Sequence, residues 1–205
     1  MIEVELKCKL SPESSSVLDE KLRTMEFHGK VENSDIYYDT STFDLLRQAF
    51  FVRVRNNHQL QFKFNVEGSI AHVQSTERAF LLPLDQISAQ EMNSLFVRFL
   101  PGWTTAFSLE MIINKNGLVE LVRIQNTREV YSSDDMHLSI DHVKGLGDFL
   151  EIEIHNEEDA NTGEALAKLQ KFASDIKLEP INIGYVEMWL RVHNPQAYQL
   201  GKYRL

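Results

Sequence analysis

The segment Ile2-Glu3-Val4-Glu5-Leu6-Lys7-Cys8-Lys9-Leu10 alternates without a break. Ile2, Val4, Leu6, Cys8 and Leu10 fall on one side, and Glu3, Glu5, Lys7 and Lys9 on the other, which is the two-residue period of a β-strand. Ser11-Pro12-Glu13 follows with an N-cap residue, a proline at the first helical position and an acidic first turn. Val17, Leu18, Leu22 and Met25 then recur at helical spacing, so a strand feeds an amphipathic helix.

The same alternation returns downstream. Ile36-Tyr37-Tyr38 leads into Asp39-Thr40-Ser41, and Phe50 to Arg55 sets Val52 and Val54 against Arg53 and Arg55. Asn56-Asn57 supplies a turn before Leu60, Phe62 and Phe64 alternate with Gln61, Lys63 and Asn65, which predicts a hairpin. A strand is expected near Ala71 to Phe80, a helix over about Leu84 to Phe99 stopped by Pro101-Gly102, and strands over roughly Val119 to Tyr131 and Met136 to Val143. Gly145-Leu146-Gly147 turns the chain into Phe149 to His155, where Leu150, Ile152 and Ile154 alternate with Glu151, Glu153 and His155. Helices are expected around Thr162 to Ile176 and from about Gly184 to Val192. Strands joined mostly by turns, with three or four helices, predict an α+β fold with antiparallel pairing.

The composition sets limits. With 205 residues, 43% hydrophobic and 25% charged, and without linkers or repeats, the chain reads as a single domain over 1–205. The single cysteine, Cys8, leaves no internal disulfide and no thiolate zinc site, which suits a reducing cytosol. No apolar run approaches a membrane span and no signal-peptide pattern opens the chain, so a cytoplasmic protein without membrane contact is expected. The formal net charge of -9 argues against nucleic-acid binding and, taken in bulk, against a phosphorylated substrate.

The arrangement of the charges points the other way. A solvated sheet face gives polar alternation too, but it normally interleaves Ser, Thr, Gln and mixed charges. Here acids concentrate on some strands and bases on others, each repeated two residues apart. About eight such strands, closed with their charged faces inward, form a β-barrel whose lumen holds one small ligand and whose apolar outside is covered by helices. In that lumen Glu5, Glu151 and Glu153, with Glu3 and Asp141 nearby, offer hard oxygen ligands for Mg²⁺ or Mn²⁺. Lys7, Arg53, Arg55 and Lys63 suit phosphate oxygens, the arginines through bidentate contacts. Acids and bases on opposite walls would make a slot for a metal-bound polyphosphate.

Glu3-Val4-Glu5-Leu6-Lys7 resembles the Glu-x-Glu-x-Lys signature of the CYTH superfamily, the triphosphate tunnel metalloenzymes. The resemblance continues in order through Asp35-Ile-Tyr-Tyr-Asp39, Arg53-x-Arg55, Lys63, Glu77, Thr127-Arg128, and the run from Asp141 through Gly145-Leu-Gly147 to Glu151-Ile-Glu153. It implies an eight-stranded antiparallel barrel forming a tunnel with flanking helices, a divalent metal, and a small-molecule substrate bearing a linear triphosphate. Carried over by position, Glu3, Glu5, Asp141, Glu151 and Glu153 are the metal-side acids, with Glu77 a possible addition. Lys7, Arg53, Arg55, Lys63 and Arg128 are the phosphate side, and Glu5, Lys7, Arg53 and Arg55 are the expected catalytic groups. Two departures stand out: Asn126-Thr127-Arg128 replaces a common Lys-x-Arg, and Ile181-Asn-Ile-Gly-Tyr185 lacks the basic residue that usually precedes the final helix.

The resemblance favours a metal-dependent triphosphatase acting on thiamine triphosphate or inorganic triphosphate. The alternatives are a class IV-type adenylate cyclase, which shares Gly145-Leu-Gly-Asp-Phe149, and an inactive polyphosphate- or nucleotide-binding module. A monomer or homodimer is expected. The histidines His28, His58, His72, His137, His142, His155 and His193 show no metal-ligand spacing, although His155 shares a strand face with Glu153. Cys8 reads as a buried structural thiol, and Trp103 and Trp189 as packing residues. Lys202 or Arg204 is a candidate to fold back and replace a missing cation.

Overall fold

The computed structural model describes residues 2–64, 74–156 and 162–204, without the side chains of Ile2, Glu13, Ser15, Gln74 and Asn156. Its strands are β1 (Ile2–Lys9), β2 (Glu26–Thr40), β3 (Phe50–Arg55), β4 (Gln59–Phe64), β5 (Gln74–Leu81), β6 (Leu118–Ser133), β7 (Met136–Val143), β8 (Gly147–Asn156) and the short β9 (Pro180–Ile181). Among the described residues there are six α-helices: α1 (Pro12–Leu22), α2 (Gln86–Phe99), α3 (Leu109–Asn116), α4 (Thr162–Asp175), α5 (Tyr185–His193) and α6 (Pro195–Leu200). The strands pair antiparallel in the order β5-β4-β3-β2-β6-β7-β8-β1, and β1 returns to β5 through Ile2↔Thr76, Glu3↔Ser75 and Val4↔Gln74. That last pairing closes an eight-stranded barrel. Farther along the same edge of β1, β9 takes over at Lys7↔Ile181 and Cys8↔Pro180.

The outward faces are apolar because helices cover them. Val4, Leu6, Cys8, Leu150, Ile152 and Ile154 pack beneath Leu18 of α1 and Leu169 and Ala173 of α4. Val52, Val54, Leu60 and Phe62 pack beneath Met92 and Phe96 of α2 and Ile112 of α3. Trp103 stacks on Phe96 at 3.8 Å and donates from Nε1 to Asn93, a packing role as the sequence suggests. Trp189 packs against a third cluster, in which Tyr37, Phe51, Val122 and Ile124 of the barrel meet Ile183, Val186 and Leu190 of the C-terminal segment. Tyr37, Phe51, Ile124, Ile183 and Val186 of this group also line the cavity inside the barrel.

The structure revises several expected elements. β2 is 15 residues long rather than a short run around Tyr37, because its first half lies mostly exposed on both faces and carries no alternation to read. A register shift between Phe27 and Gly29 bends that half. Met25 lies beyond the end of α1. α3, capped by Ser108 and ended by Gly117 in the left-handed region (φ 61°), was not anticipated, nor were β9 and α6. Of the strand expected near Ala71 to Phe80, Ala71 to Val73 lie outside the described residues, as does His72. Among the described residues no helix is long and apolar enough to cross a membrane.

Cys8 is fully buried beneath the helices, and burial pushes its thiol up to about 11 against the opposing charge of Lys7. A thiolate is therefore scarce at neutral pH and covered as well. The expected result with a disulfide reagent at pH 8 is no reaction in the native protein and one thiol per chain in denaturant. Rapid modification of native protein would contradict the packing of β1 under α1 and α4.

Candidate active site

Strand pairing builds the first wall. β1 and β8 set Glu3 opposite His155, Glu5 opposite Glu153 and Lys7 opposite Glu151, so all six side chains share the lumen face. Lys7 Nζ donates to Glu5 Oε1 at 2.9 Å and to Glu151 Oε1 at 2.5 Å, and lies 4.4 Å from the centre of the Tyr185 ring. Burial alone would lower the pKa of Lys7, but Glu151 and Glu5 outweigh it and raise it. Burial raises Glu5, yet Lys63 and Lys7 pull it well below the usual carboxylate range. Glu151 is likewise opposed by burial and drawn down to about 2 by Arg128 and Lys7.

The facing strands supply the other cations. Lys63 of β4 donates to Glu5 Oε2 at 2.5 Å and Glu3 Oε2 at 3.1 Å, with Glu77 of β5 at 3.6 Å. Arg55 makes a two-point contact with Asp35 of β2, Nε and Nη2 each donating at 2.8 Å. Arg53 reaches the same carboxylate at 3.1 Å, donates to Gln61 at 2.7 Å and to the Tyr37 hydroxyl at 3.0 Å, and has Glu77 at 3.8 Å. Burial raises the pKa of Asp35, and the two arginines bring it down again. Arg128 of β6 grips Asp141 of β7 with Nε at 2.7 Å and Nη2 at 2.5 Å, and also bonds Glu151. Asp141 is fully buried and accepts further bonds from Asn126 at 2.7 Å and the Tyr185 hydroxyl at 2.8 Å.

Every predicted site residue therefore sits on or beside one lumen, a cavity of about 320 Å³. The expected segregation into opposite walls is not seen. Lys7 lies between Glu5 and Glu151 within the acidic wall, and Asp35 lies among the arginines. The cause is electrostatic: a cation buried in a narrow lumen needs a carboxylate within hydrogen-bond reach. Asp141 spends both oxygens on Arg128, Asn126 and Tyr185, which makes it an anchor for that arginine.

Glu153 differs from the rest. Among the described residues its only ion-pair partner is His155, at 3.5 Å. Burial and the carboxylates of Glu3, Glu5 and Glu151 push it up to about 9. A divalent cation fits here, because the donors are hard oxygens and a cation can take the place of the proton that the crowded carboxylates make Glu153 retain. Glu3 and Glu153 are the residues placed to hold it, with His155 beside them.

Sequence reasoning missed Asp35, Tyr37, Gln61 and Tyr185 as site residues. For Asp35 and Tyr37 the signal was present, since they continue the alternation of β2 on the lumen side. The two expected gaps are filled by neutral groups, Asn126 and Tyr185, both bonded to Asp141. Lys202 and Arg204 do not replace a cation: both are exposed and away from the lumen, Lys202 beside the Tyr203 ring and Arg204 donating to the Gln199 carbonyl.

This fold has relatives. The Pyrococcus horikoshii OT3 protein PH1819 shares 26% identity with a TM-score of 0.66, over 92% of this chain and 98% of that one. A Methanocaldococcus jannaschii protein named "Putative adenylate cyclase MJ0240" is 24% identical over 92% of this chain and 98% of its own length. The Hippeastrum protein HpAC1, whose structure is described as revealing a dominant triphosphatase activity, matches at 19% identity and a TM-score of 0.56, covering 92% of this chain and 93% of that one. The model of the CYTH domain matches residues 1–183, and with the closed barrel and its inward acids and bases this chain belongs to the CYTH domain family.

Proposed function

We propose that the lumen binds the linear triphosphate of a small molecule and that the chain hydrolyses it with a divalent metal, releasing phosphate, with thiamine triphosphate and inorganic triphosphate as the candidate substrates. The observation that carries this reading is the convergence of Lys7, Arg53, Arg55, Lys63 and Arg128 on one cavity of about 320 Å³. Phosphate oxygens are the natural counter-charge for so many buried donors. The activity described for HpAC1 supports the hydrolase, whereas the name of the Methanocaldococcus jannaschii relative favours the cyclase as the second reading.

The charge balance explains why a metal belongs to the scheme. Asp35 and Glu187 join the six predicted carboxylates, so eight acids lie on or beside the lumen with five predicted cations. A polyanion entering alone would add to a negative surplus. A bound divalent metal supplies neutralisation and polarises phosphoryl oxygens as a Lewis acid.

The chain's own residues do the rest. Arg53 and Arg55, two residues apart on β3 and so rooted about 7 Å apart, address successive phosphate oxygens. Asp35 fixes both guanidinium planes before the substrate arrives, and Asp141 does the same for Arg128. Lys7 and Lys63 exchange carboxylate for phosphate contacts and neutralise charge as the terminal bridging bond lengthens. A lumen carboxylate takes the proton of the water that attacks the terminal phosphorus in line. In the cyclase reading the same cations hold ATP, and its 3′-hydroxyl attacks the α-phosphorus to release pyrophosphate.

Three outcomes test this. Incubation with thiamine triphosphate, inorganic triphosphate and ATP, under Mg²⁺ and then Mn²⁺, is expected to release orthophosphate, and Glu5→Gln to lower turnover by about 100-fold or more with the fold intact. Cyclic AMP and pyrophosphate from ATP would establish the cyclase instead; binding without any product would leave the non-catalytic module. Asp35→Asn removes the carboxylate that holds both arginines, so KM for the triphosphate should rise about tenfold or more. An unchanged KM would remove Asp35 from the site.

The third concerns Glu153. A carboxyl whose folded pKa is raised from the usual carboxylate range to about 9 contributes its full stability at low pH and loses it as pH climbs between those values. Metal-free Glu153→Gln should therefore melt about 5 °C higher than the parent protein at pH 8 and match it at pH 4. A variant that melts lower at pH 8 would mean that Glu153 is not an uncompensated buried acid.

A further inference from the structure

Glu151, Glu153 and His155 lie on one face of β8, and register sets His155 directly across from Glu3 of β1. One donor atom each from Glu3, Glu153 and His155 lies within 4.8 Å of the others, with His155 Nε2 3.5 Å from Glu153 Oε1. A cation with bonds of about 2.1 Å holds its donors no more than about 4.2 Å apart, so a side-chain shift of roughly half an ångström closes the site. The bonds that Lys63 and Ser75 donate to Glu3 both fall on Oε2. The His155 ring is supported from behind by His137 of β7, which lies opposite Glu153 in register and stacks on it at 5.2 Å between centroids with a 29° tilt.

We propose that His155 is a metal ligand, its imidazole nitrogen joining the carboxylates of Glu3 and Glu153 in one divalent-cation site at the open mouth of the barrel. The proposal rests on the metal reading of Glu3 and Glu153 above and adds a nitrogen to a set of oxygens. An all-oxygen set suits Mg²⁺ and Mn²⁺ alike, whereas an imidazole nitrogen is a poor ligand for the harder Mg²⁺, so between these two ions it tilts the site toward Mn²⁺. His137 acts as a positioning residue that holds the plane of the ligand ring.

The test loads the purified full chain with Mn²⁺ and reads coordination rather than turnover. Pulsed electron paramagnetic resonance should show ¹⁴N coupling to the manganese, absent in His155→Gln and retained in His137→Gln. Calorimetric titration should show His155→Gln losing about tenfold in Mn²⁺ affinity with little change for Mg²⁺. Glu3→Gln with Glu153→Gln serves as the control for the carboxylate site. Tight, carboxylate-dependent Mn²⁺ binding without ¹⁴N coupling overturns the role of His155 and leaves the metal reading standing. Failure of the parent chain to bind Mn²⁺ overturns both.

Discussion

The backbone pairing of β1 on both of its edges is the constraint on which the rest of the molecule depends. One edge is bonded to β8 from Ile2 to Lys9. The other is divided, with β5 taking Ile2 to Val4 and β9 taking Lys7 and Cys8. The first share turns an open sheet into a barrel and thereby defines an inside. The second brings the start of α5 against the lumen, so that Tyr185 lies over Lys7 and bonds Asp141. Outside, the same strand contributes Val4, Leu6 and Cys8 to a core capped by α1 and α4. One strand of alternating chemistry thus carries closure, packing and the first wall of the site.

Once an inside exists, electrostatics dictates its pattern. Taking a charge out of water costs several kcal/mol unless a partner is supplied. The lumen responds with pairs that cross between strands: Arg55 with Asp35, Arg128 with Asp141, and Lys63 with Glu5. The arginines are thereby held in fixed planes, while each lysine is shared among carboxylates. Among the described residues Glu153 has a histidine rather than a lysine or arginine as its ion-pair partner, and it sits among the carboxylates of Glu3, Glu5 and Glu151.

How much of this could be read from the residues depends on whether a feature is local. β1, β3, β4 and β8 are legible because each has one face against helices and the other on charged groups. The first half of β2 is not, because water on both sides leaves no period. The lumen residues on those legible strands follow from alternation alone, but their partners do not. Arg55 and Asp35 are 20 residues apart and meet only through the β2–β3 register, as His137 and His155 meet only through β7 and β8. The same limit explains the two missing cations. A search for positive residues passes over Asn126 and Tyr185, whose contribution is a hydrogen bond to an aspartate on another strand.

Phe51, Ile124, Ile183 and Val186 line the same cavity as the charged groups. These side chains offer nothing to hydrogen-bond, so charge brought into the lumen is confined to the part of its surface that carries partners. The cavity thus has a grain: a ligand whose two ends differ in polarity has one orientation that satisfies both.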